Sequence, residues 1–464
     1  MLQSWSEAYR GGGLGGHLPH LGEALGLYAR LTPDKIGAAD LTRQMSFRLW
    51  NERACRLANA LRGLGLAPGD RVAVLAYNAI EWLEIYAATA KAGLVAVPIN
   101  FRLLPAEIAY IVANAEARAF IVEDVLAERL EAIRADLPVP LSCYLSFGPD
   151  AAKTGWRAYE DLIAAASPSE PAKTASADDL WALMYTSGTT GRPKGAMRTH
   201  RASALLSLAT EVEMGFGRSD RALLVMPLCH ANSLYFASAF LYCGASTFVY
   251  SRQSFDPEHL LRTLSESMAT FTSLVPTHYV MMLSLASAIQ DRYGLDHVRK
   301  LLISSAPARL ETKEAILERF ANSGLFELYG STEAGWVTML HPEQQLTKLG
   351  SVGRECIASR PVRLVDEAGN EVKDGEVGEL FSSTPYAFEG YWRDPEKTAQ
   401  ALREGYCSVG DMARRDADGF LYLVDRKSNM IISGGENIYP SEVEAVVASH
   451  PAVKDVAVIG LPDA

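Results

Sequence analysis

Short apolar segments that alternate with helical stretches constrain the fold of this chain more than any other feature. The segments Arg71–Ala76 and Leu94–Val97 read as strands, and Ile80–Ala92 between them predicts a helix. A strand, a helix and a second strand form a βαβ unit, which builds a parallel sheet with helices on both faces. The fold class is therefore predicted to be α/β. Further apolar strands are predicted at 119–122, 223–226, 247–250, 271–274, 301–303 and 325–328.

The pattern changes after Pro361. Val362–Val365 and Val377–Phe381 alternate in polarity on either side of a polar turn, which predicts hairpins and a small antiparallel β lobe at about 345–425. Beyond it we expect a strand from Met430, a helix over Ser441–Ser449 and a strand over Val453–Ile459. The chain is thus divided into a large N-terminal domain (1–425), a hinge (426–428) and the start of a small α+β C-terminal domain (429–464).

Composition narrows the class of protein. The 464 residues carry a formal net charge of −11, which argues against a dedicated nucleic-acid binder. The six cysteines contain no CxxC pair, so reduced thiols in a cytoplasmic protein are expected. The uncharged stretch Ala222–Ser251 is interrupted by Pro227 and Gly244, which indicates buried core rather than an integral membrane segment. The sequence leaves two questions open: whether the protein contacts a membrane peripherally, and whether it is a monomer or a homodimer.

A glycine- and hydroxyl-rich loop follows the apolar segment Leu180–Tyr185. Glycines let backbone N–H groups approach phosphates, hydroxyls donate hydrogen bonds, and a lysine adds positive charge. The loop lacks the Gly-Lys-Ser/Thr ending of a Walker A motif. It is therefore predicted to bind a polyphosphate in another way. Its candidate ligands are Thr186, Ser187, Gly188, Thr189, Thr190 and Lys194.

The loop Thr186–Gly195 resembles the phosphate-binding signature of the adenylate-forming enzymes, which include acyl-CoA synthetases, peptide-synthetase adenylation domains and luciferases. A second segment, Glu327–Glu333, is similar to another motif of that family. The resemblance implies that Tyr329 stacks on adenine, that Thr332 contacts the α-phosphate, and that Glu333 holds Mg²⁺. The remaining nucleotide candidates of this segment are Glu327, Leu328, Gly330 and Ser331.

Three further segments carry the resemblance to a nucleotide site. Ser305, Ala306 and Pro307 match a small-residue segment that lies along the adenine, where the family more often has glycine in place of Ser305. Asp411 matches the aspartate that binds the ribose. Arg426 matches an arginine that also reaches the nucleotide.

The resemblance also implies an acid pocket and a CoA contact. His230 matches the residue between the acid and the nucleotide, and with Lys194, Thr332 and Glu333 it completes the catalytic candidates. Gly434 and Gly435 match a loop that the pantetheine arm of CoA approaches. The acid pocket is expected to contain His230, Ala231, Asn232, Val275, His278, Ala306 and Trp336.

The predicted activity is that of an AMP-forming acyl-CoA synthetase that uses ATP, Mg²⁺ and CoA. A small-molecule carboxylic acid attacks the α-phosphate of ATP, and the CoA thiol then displaces AMP. No cation stands out in the expected acid pocket, so fatty or aromatic apolar acids are predicted.

Two alternatives remain at this point. An amino-acid adenylation domain would have an aspartate shortly after His230, where this chain has Ala231–Ser233. The family's C-terminal lid continues further and carries a lysine that nothing here matches, so a truncated lid is expected. The chain would then be a nucleotide-binding protein with little or no turnover.

Overall fold

The computed structural model describes residues 18–172, 175–186, 192–306, 308–433, 436–448, 450, 452–453 and 456–461. Its first part alternates strands and helices as the apolar pattern predicts. The elements are α1 (Leu21–Leu31), β1 (Ile36–Ala39), β2 (Gln44–Ser46), α2 (Phe47–Gly63), β3 (Arg71–Leu75), α3 (Glu81–Ala92), β4 (Val95–Ile99), α4 (Pro105–Asn114), β5 (Ala117–Glu123), α5 (Asp124–Ala127), α6 (Glu131–Arg134), β6 (Tyr144–Phe147), β7 (Arg157–Ala158), α7 (Tyr159–Ala165), β8 (Leu180–Thr186) and β9 (Lys194–Thr199).

Seven of these strands form one sheet in the order β7-β6-β5-β3-β4-β8-β9, counted over the described residues. Every pair is parallel except β8 with β9, which form an antiparallel hairpin. The central strands β3 and β4 are buried almost throughout, because helices cover both faces of a parallel sheet. The hairpin brings Thr186 directly opposite Lys194.

The second part of the chain forms another sheet. Its elements are α8 (His200–Met214), β10 (Arg221–Leu224), α9 (Ala231–Tyr242), β11 (Ser246–Val249), α10 (Pro257–Glu266), β12 (Phe271–Leu274), α11 (Pro276–Leu283), α12 (Ser287–Gln290), β13 (Lys300–Ser304), α13 (Leu310–Arg319), β14 (Gly324–Ser331), β15 (Gly335–Leu340) and β16 (Arg354–Glu355). With β1 and β2 these strands take the order β16-β15-β14-β13-β12-β10-β11-β1-β2, and the strands from β14 to β1 are parallel.

The uncharged stretch 222–251 forms β10, α9 and β11 inside this second sheet layer. Most of its apolar side chains are buried, as the interrupted pattern predicts. No described helix is both long enough and apolar enough to cross a membrane.

The chain after residue 359 is antiparallel. Its elements are β17 (Arg360–Val365), β18 (Val377–Ser383), α14 (Pro395–Ala401), β19 (Leu402–Arg403), β20 (Tyr406–Cys407), β21 (Asp411–Arg415), β22 (Leu421–Arg426), β23 (Ile431–Ser433), β24 (Glu436–Ile438) and α15 (Pro440–Ala448). The strands from β17 to β22 form a small β lobe, and β23 pairs with β24. Short 3₁₀ turns lie at Glu128–Leu130, Leu141–Cys143, Ala151–Lys153 and Pro342–Gln344.

The strand predicted over Val453–Ile459 is wrong for the residues of that segment that the structure describes, which adopt no strand. The backbone N–H of Val458 donates to a Glu444 carboxylate oxygen at 2.8 Å instead of to a strand. Ile459 is largely exposed, so its apolar side chain has no packing surface. An extended segment without a neighbouring strand leaves its backbone groups without ladder partners, and apolar alternation alone cannot provide them.

Candidate functional site

A cleft of about 1210 Å³ gathers most of the predicted nucleotide residues. It opens at the carboxyl ends of β13 and β14, the usual position of ligands in open α/β sheets, and β21 and β22 of the β lobe form its opposite wall. The predicted site residues in its lining are Thr186, Lys194, Ser305, Ala306, Glu327, Leu328, Tyr329, Gly330, Ser331, Thr332, Glu333, Asp411 and Arg426. A second cleft, of about 640 Å³ around Asp40 and His259, contains none of them.

Seven predicted site residues lie outside the described part of the chain. They belong to the phosphate loop, to the segment after β13 and to the segment between β23 and β24, and their predicted roles stay predictions. These residues are Ser187, Gly188, Thr189, Thr190, Pro307, Gly434 and Gly435.

Glu333 lies at the meeting point of the hairpin and the β lobe. Its side chain is nearly buried, with 6% exposure, and its Oε1 accepts hydrogen bonds from the Thr186 hydroxyl at 3.2 Å and the Tyr391 hydroxyl at 2.9 Å. Lys194 Nζ lies 4.4 Å from the centre of the Tyr391 ring. Burial, and then the Glu333 charge, raise the pKa of Tyr391, so this phenol stays a donor at neutral pH. A carboxylate, a hydroxyl and an ammonium group therefore meet at one end of the cleft.

The backbone of the Thr332–Glu333 segment is held from three sides. Arg198 Nη1 donates to the carbonyl oxygens of both residues at 3.3 Å. The Tyr235 hydroxyl donates to the Thr332 carbonyl at 3.2 Å, and the Phe388 N–H donates to the Glu333 carbonyl at 2.7 Å. Arg198 is not among the residues predicted from the sequence. The signal that could have identified it is an arginine within β9, a strand whose residues are mostly buried.

At the other end of the cleft, Tyr329 reaches across to the β lobe. Its hydroxyl donates to the Asp411 carboxylate at 2.6 Å, and Arg426 Nε lies 3.4 Å from the second oxygen of that carboxylate. Asp411 and Arg426 stand opposite each other in the β21–β22 register. Burial, with Asp411 adding to it, raises the pKa of Tyr329 well above its usual value. A hydrogen bond and an ion pair thus connect three nucleotide candidates, Tyr329 of β14 with Asp411 and Arg426 of the β lobe.

Ser305 follows β13 with a left-handed backbone. Its φ of +69° is a conformation that glycine adopts without cost and that a side chain disfavours. A glycine here, which the resemblance led us to expect, would adopt this backbone without that strain. Ala306 follows it in the cleft lining.

Glu327 is already paired within the protein. Its carboxylate lies 2.6 Å from Lys313 Nζ, and both side chains are almost fully buried, with 4% and 0% exposure. Burial raises the pKa of Glu327, and the Lys313 charge opposes that shift. The contact indicates that the Glu327 side chain holds α13 against β14 while its backbone lines the cleft.

Most of the acid-pocket candidates lie outside the lining of the cleft. Apart from Ala306, none of them belongs to the described lining of the 1210 Å³ cleft. His230 stands immediately before α9, and desolvation, followed by the Arg102 charge, lowers its pKa. Asn232 Nδ2 donates to the Ser304 hydroxyl at 3.1 Å, which ties α9 to the end of β13. Val275 precedes α11, on which His278 stacks against Phe255 at 4.2 Å between ring centres.

Trp336 is part of the packed interior. Its indole N–H donates to the Thr210 hydroxyl at 2.9 Å, and its ring meets Tyr235 edge to face at 5.3 Å and Phe236 at 5.4 Å. Ala231 begins α9, the helix that carries both of these aromatic residues. The side chain therefore stabilises the aromatic cluster behind the Thr332–Glu333 segment.

Asn78 positions the segment that leads to His230. Its Nδ2 donates to the carbonyls of Val225 and Met226 at 3.2 and 3.1 Å, and its Oδ1 accepts from the Leu228 N–H at 2.8 Å. Asn78 lies between β3 and α3 of the other sheet layer. No local motif marks it, because its partners are about 150 residues away in the sequence.

Comparison with known proteins shows an extensive similarity. A family model described as AMP-binding enzyme matches residues 27–392. The chain is 36% identical over 442 residues to a feruloyl-CoA synthase from an Amycolatopsis species, covering 94% of this chain and 84% of that protein. It is 33% identical over 427 residues to a long-chain-fatty-acid–CoA ligase of Mycobacterium tuberculosis, covering 90% of this chain and 81% of that protein.

A solved structure extends the similarity to three dimensions. The anthranilate CoA ligase AuaEII in complex with anthranoyl-AMP matches with a TM-score of 0.88 and 27% identity, covering 97% of this chain and 85% of that one. An α/β fold with a large N-terminal part, a β lobe and a small C-terminal part is common to both chains.

Proposed function

Because this chain belongs to the AMP-binding enzyme family, we propose that it joins an apolar aromatic or fatty acid to CoA. ATP, Mg²⁺ and CoA are its cosubstrates and cofactor. The acid first attacks the α-phosphate of ATP, which gives acyl-AMP and pyrophosphate, and the CoA thiolate then displaces AMP. The observation that carries this proposal is the single cleft in which Lys194, Thr332, Glu333, Tyr329 and Asp411 meet.

Two groups of side chains would hold the nucleotide. We assign the adenine to the wall made by Ser305, Ala306 and Tyr329, and the ribose hydroxyls to Asp411. Arg426 Nε lies 3.4 Å from the same carboxylate, and this contact orients Asp411 as an acceptor. The hydrogen bond from Tyr329 to Asp411 joins the adenine wall to the β lobe.

The phosphates would lie at the Glu333 end. Hard oxygen donors suit Mg²⁺, and the Glu333 carboxylate with the adjacent Thr186 hydroxyl fits that preference. Among the described residues, no group of three or more acidic, histidine or cysteine side chains is placed to hold a metal ion, so phosphate oxygens and water would complete the ligand set. Bound there, the ion neutralises phosphate charge. Lys194 and Thr332 would orient the α-phosphate for attack.

The acid would enter from the α9 side, where His230, Ala231 and Asn232 begin the helix. Val275, His278 and Trp336 are assigned to the surroundings of its tail. We place CoA at Gly434 and Gly435, because glycines permit close approach of the pantetheine arm.

We also propose a division of the chain into domains and a location in the cell. We propose a large domain (1–425), a hinge (426–428) and a small domain (429–464), acting as a monomer or homodimer. The six cysteines are buried and unbridged, which supports a reducing, cytoplasmic setting.

The test measures both half-reactions. Pyrophosphate release is followed with a panel of fatty, cinnamic, benzoic and amino acids, and thioester formation is followed by mass spectrometry after addition of CoA. We expect acid-dependent pyrophosphate release and CoA-dependent thioester. Release without thioester for an amino acid would favour the adenylation-only alternative. Failure of the protein to bind ATP or AMP at millimolar concentration in calorimetry would overturn the proposal.

A pair of variants tests whether Glu333 takes part in adenylation. Glu333→Gln keeps the shape but removes the charge, so pyrophosphate release should fall by about 10²–10³. Glu314→Gln, on the exposed side of α13, is the matched control and should leave the rate unchanged. Equal rates for both variants would remove Glu333 from the metal role.

A further inference from the structure

The two carboxylate oxygens of Glu333 have different surroundings. Its Oε1 accepts hydrogen bonds from the Tyr391 hydroxyl at 2.9 Å and the Thr186 hydroxyl at 3.2 Å. Its Oε2 accepts no hydrogen bond from any residue that the structure describes. All three side chains line the cleft of about 1210 Å³, which contains the space for a ligand beside them. The protein therefore holds one oxygen of the carboxylate and leaves the other for a ligand.

The ring of the same tyrosine contacts the lysine of this site. Lys194 Nζ lies 4.4 Å from the centre of the Tyr391 ring, a distance at which the face of an aromatic ring attracts a cation. Within the part of the chain that the structure describes, no carboxylate oxygen lies within 4.0 Å of Lys194 Nζ. Tyr391 thus contacts the ammonium with its ring and the Glu333 carboxylate with its hydroxyl. The two opposite charges stay unpaired with each other, and both lie in the cleft lining.

The backbone on both sides of Tyr391 is bonded to β9, the strand that begins with the lysine. The Met197 N–H donates to the Gly390 carbonyl at 2.9 Å, and the Trp392 N–H donates to the Gly195 carbonyl at 2.8 Å. These hydrogen bonds fix where the side chain starts, and none of them involves the phenol. Removing the hydroxyl should therefore leave this segment in place, because its backbone partners remain.

We propose that Tyr391 is a positioning residue for adenylation, which directs Oε2 of Glu333 toward Mg²⁺ and presents Lys194 to the phosphates. The inference rests on the proposed function and adds a residue to it. A hydrogen bond to a metal ligand orients that ligand, and its removal typically costs about 10–100-fold in metal affinity or activity. The ring keeps the ammonium away from the carboxylate. Without the ring, the two groups would form an ion pair that competes with the phosphates and with the metal ion.

The variants Tyr391→Phe and Tyr391→Leu distinguish the role of the hydroxyl from that of the ring. ATP affinity is measured by calorimetry without acid, once with excess Mg²⁺ and once with EDTA, so the readout involves no turnover. The ratio of the two dissociation constants is the magnesium advantage. In Tyr391→Phe this advantage should fall by about tenfold or more, while the affinity in EDTA stays within about threefold of the wild type. In Tyr391→Leu the affinity in EDTA should also fall, by about threefold or more, because Lys194 loses the ring and pairs with Glu333.

Tyr386→Phe is the matched control. The Tyr386 hydroxyl is also buried and donates to the Trp336 carbonyl at 3.0 Å, so the variant loses a comparable hydrogen bond in the same part of the chain. It should lose stability in thermal unfolding and keep the magnesium advantage of the wild type. If Tyr391→Phe lowers the advantage no more than Tyr386→Phe does, the inference is overturned and the proposed function stays intact.

The wild-type protein alone also decides the matter if Tyr391→Phe does not fold. A crystal structure with Mg²⁺ and α,β-methylene-ATP should show Oε2 of Glu333 at about 2.0–2.1 Å from the ion, with the hydrogen bond from Tyr391 to Oε1 retained. Coordination through Oε1, through both oxygens or through neither would overturn the inference. Failure of the wild-type protein to bind ATP with or without Mg²⁺ would instead contradict the proposed function itself.

Discussion

Ser305 combines a side chain with a left-handed backbone at the adenine wall. A left-handed backbone costs a non-glycine residue about 1–2 kcal/mol. Replacing it with glycine removes that strain, but glycine loses about 0.5–1 kcal/mol more conformational entropy on folding. Ser305→Gly should therefore raise the free energy of unfolding by up to about 1 kcal/mol. Ser305→Val, which is β-branched, should lower it. Urea unfolding measures both, and AMP affinity should change by less than about threefold in the glycine variant.

Ala315 is the control for this prediction. It lies in the middle of α13, where glycine is less stable than alanine by about 0.5–1 kcal/mol. Ala315→Gly should thus shift the urea midpoint in the opposite direction. A fall in stability for both glycine variants would mean that the hydroxyl of Ser305 matters more than its backbone.

At this scale the sequence identifies residues that belong to local motifs. Tyr329, Glu333 and Asp411 belong to recognisable segments, and the structure brings them to one cleft. Arg198, Tyr235 and Tyr391 could not be predicted in the same way. Their importance comes from hydrogen bonds between segments 58 to 135 residues apart, which no local pattern encodes.

Between elements, the ion pair of Lys313 and Glu327 joins α13 to β14. Removing one partner of a buried pair leaves an uncompensated charge and costs about 3–5 kcal/mol. Lys313→Met alone should therefore destabilise the protein strongly in urea unfolding. The double variant Lys313→Met, Glu327→Leu should recover most of that loss. If it recovers none, the pair contributes through shape rather than charge.

A second pair, His341 with Glu213, makes stability depend on pH. His341 Nε2 lies 2.8 Å from the Glu213 carboxylate, and this hydrogen bond raises the pKa of His341 above its usual 6.5. Burial is the largest influence on Glu213 and opposes its ionisation. The hydrogen bonds from His341 and the Ile357 N–H, together with the His341 charge, outweigh burial and lower the pKa of Glu213 below 4.5. The stabilisation is fully present below pH 6.5 for the histidine and above pH 4.5 for the glutamate.

His341→Gln should therefore cost most between pH 4.5 and 6.5, by up to about 1 kcal/mol for a partly exposed pair. The cost should decline as pH rises through the folded pKa of His341 and as pH falls through that of Glu213. Urea unfolding of both proteins across this range tests it. A difference that keeps growing above pH 7 would contradict the assignment.

Apolar periodicity predicts the existence of most elements but not their ends or their partners. The strand expected over 325–328 extends as β14 from Gly324 to Ser331, because pairing with β13 and β15 on either side stabilises residues without apolar side chains. The segment 453–459 has an equally good pattern, but those of its residues that the structure describes pair with no strand. Strand formation is thus decided by neighbours that the local sequence does not specify.

For the whole molecule, the α/β class follows from the alternation of strands and helices, whereas the division into two sheets does not. β1 pairs with β11, about 200 residues later, and β8 joins the first sheet beside β4. A hydrogen bond from the Thr186 hydroxyl to Glu333 then connects the first sheet with the second. The cleft therefore depends on long-range contacts that a motif search cannot place, even where it identifies the motifs.

The cleft has walls from two parts of the molecule, β14 on one side and β21 with β22 on the other. A nucleotide that binds there should stabilise both walls together. Ligand at 100 times its dissociation constant adds about 2.7 kcal/mol to the free energy of unfolding. Amide hydrogen exchange should therefore slow in residues 324–331 and 411–426 when AMP is added. Residues 144–147 in β6, near the far edge of the other sheet, are the internal control and should not respond beyond the global effect.

The variant Asp411→Asn distinguishes the responses of the two walls to AMP in the same hydrogen-exchange experiment. The amide keeps the size of the side chain but weakens its hydrogen bonds to Tyr329 and to the ribose. At an AMP concentration that saturates the variant, protection should persist in 324–331 and fall in 411–426, because the adenine contacts on β14 remain while the β lobe loses its charged acceptor. Loss of protection in both segments would show that the walls respond as one unit. Unchanged protection in both would place the ribose away from Asp411.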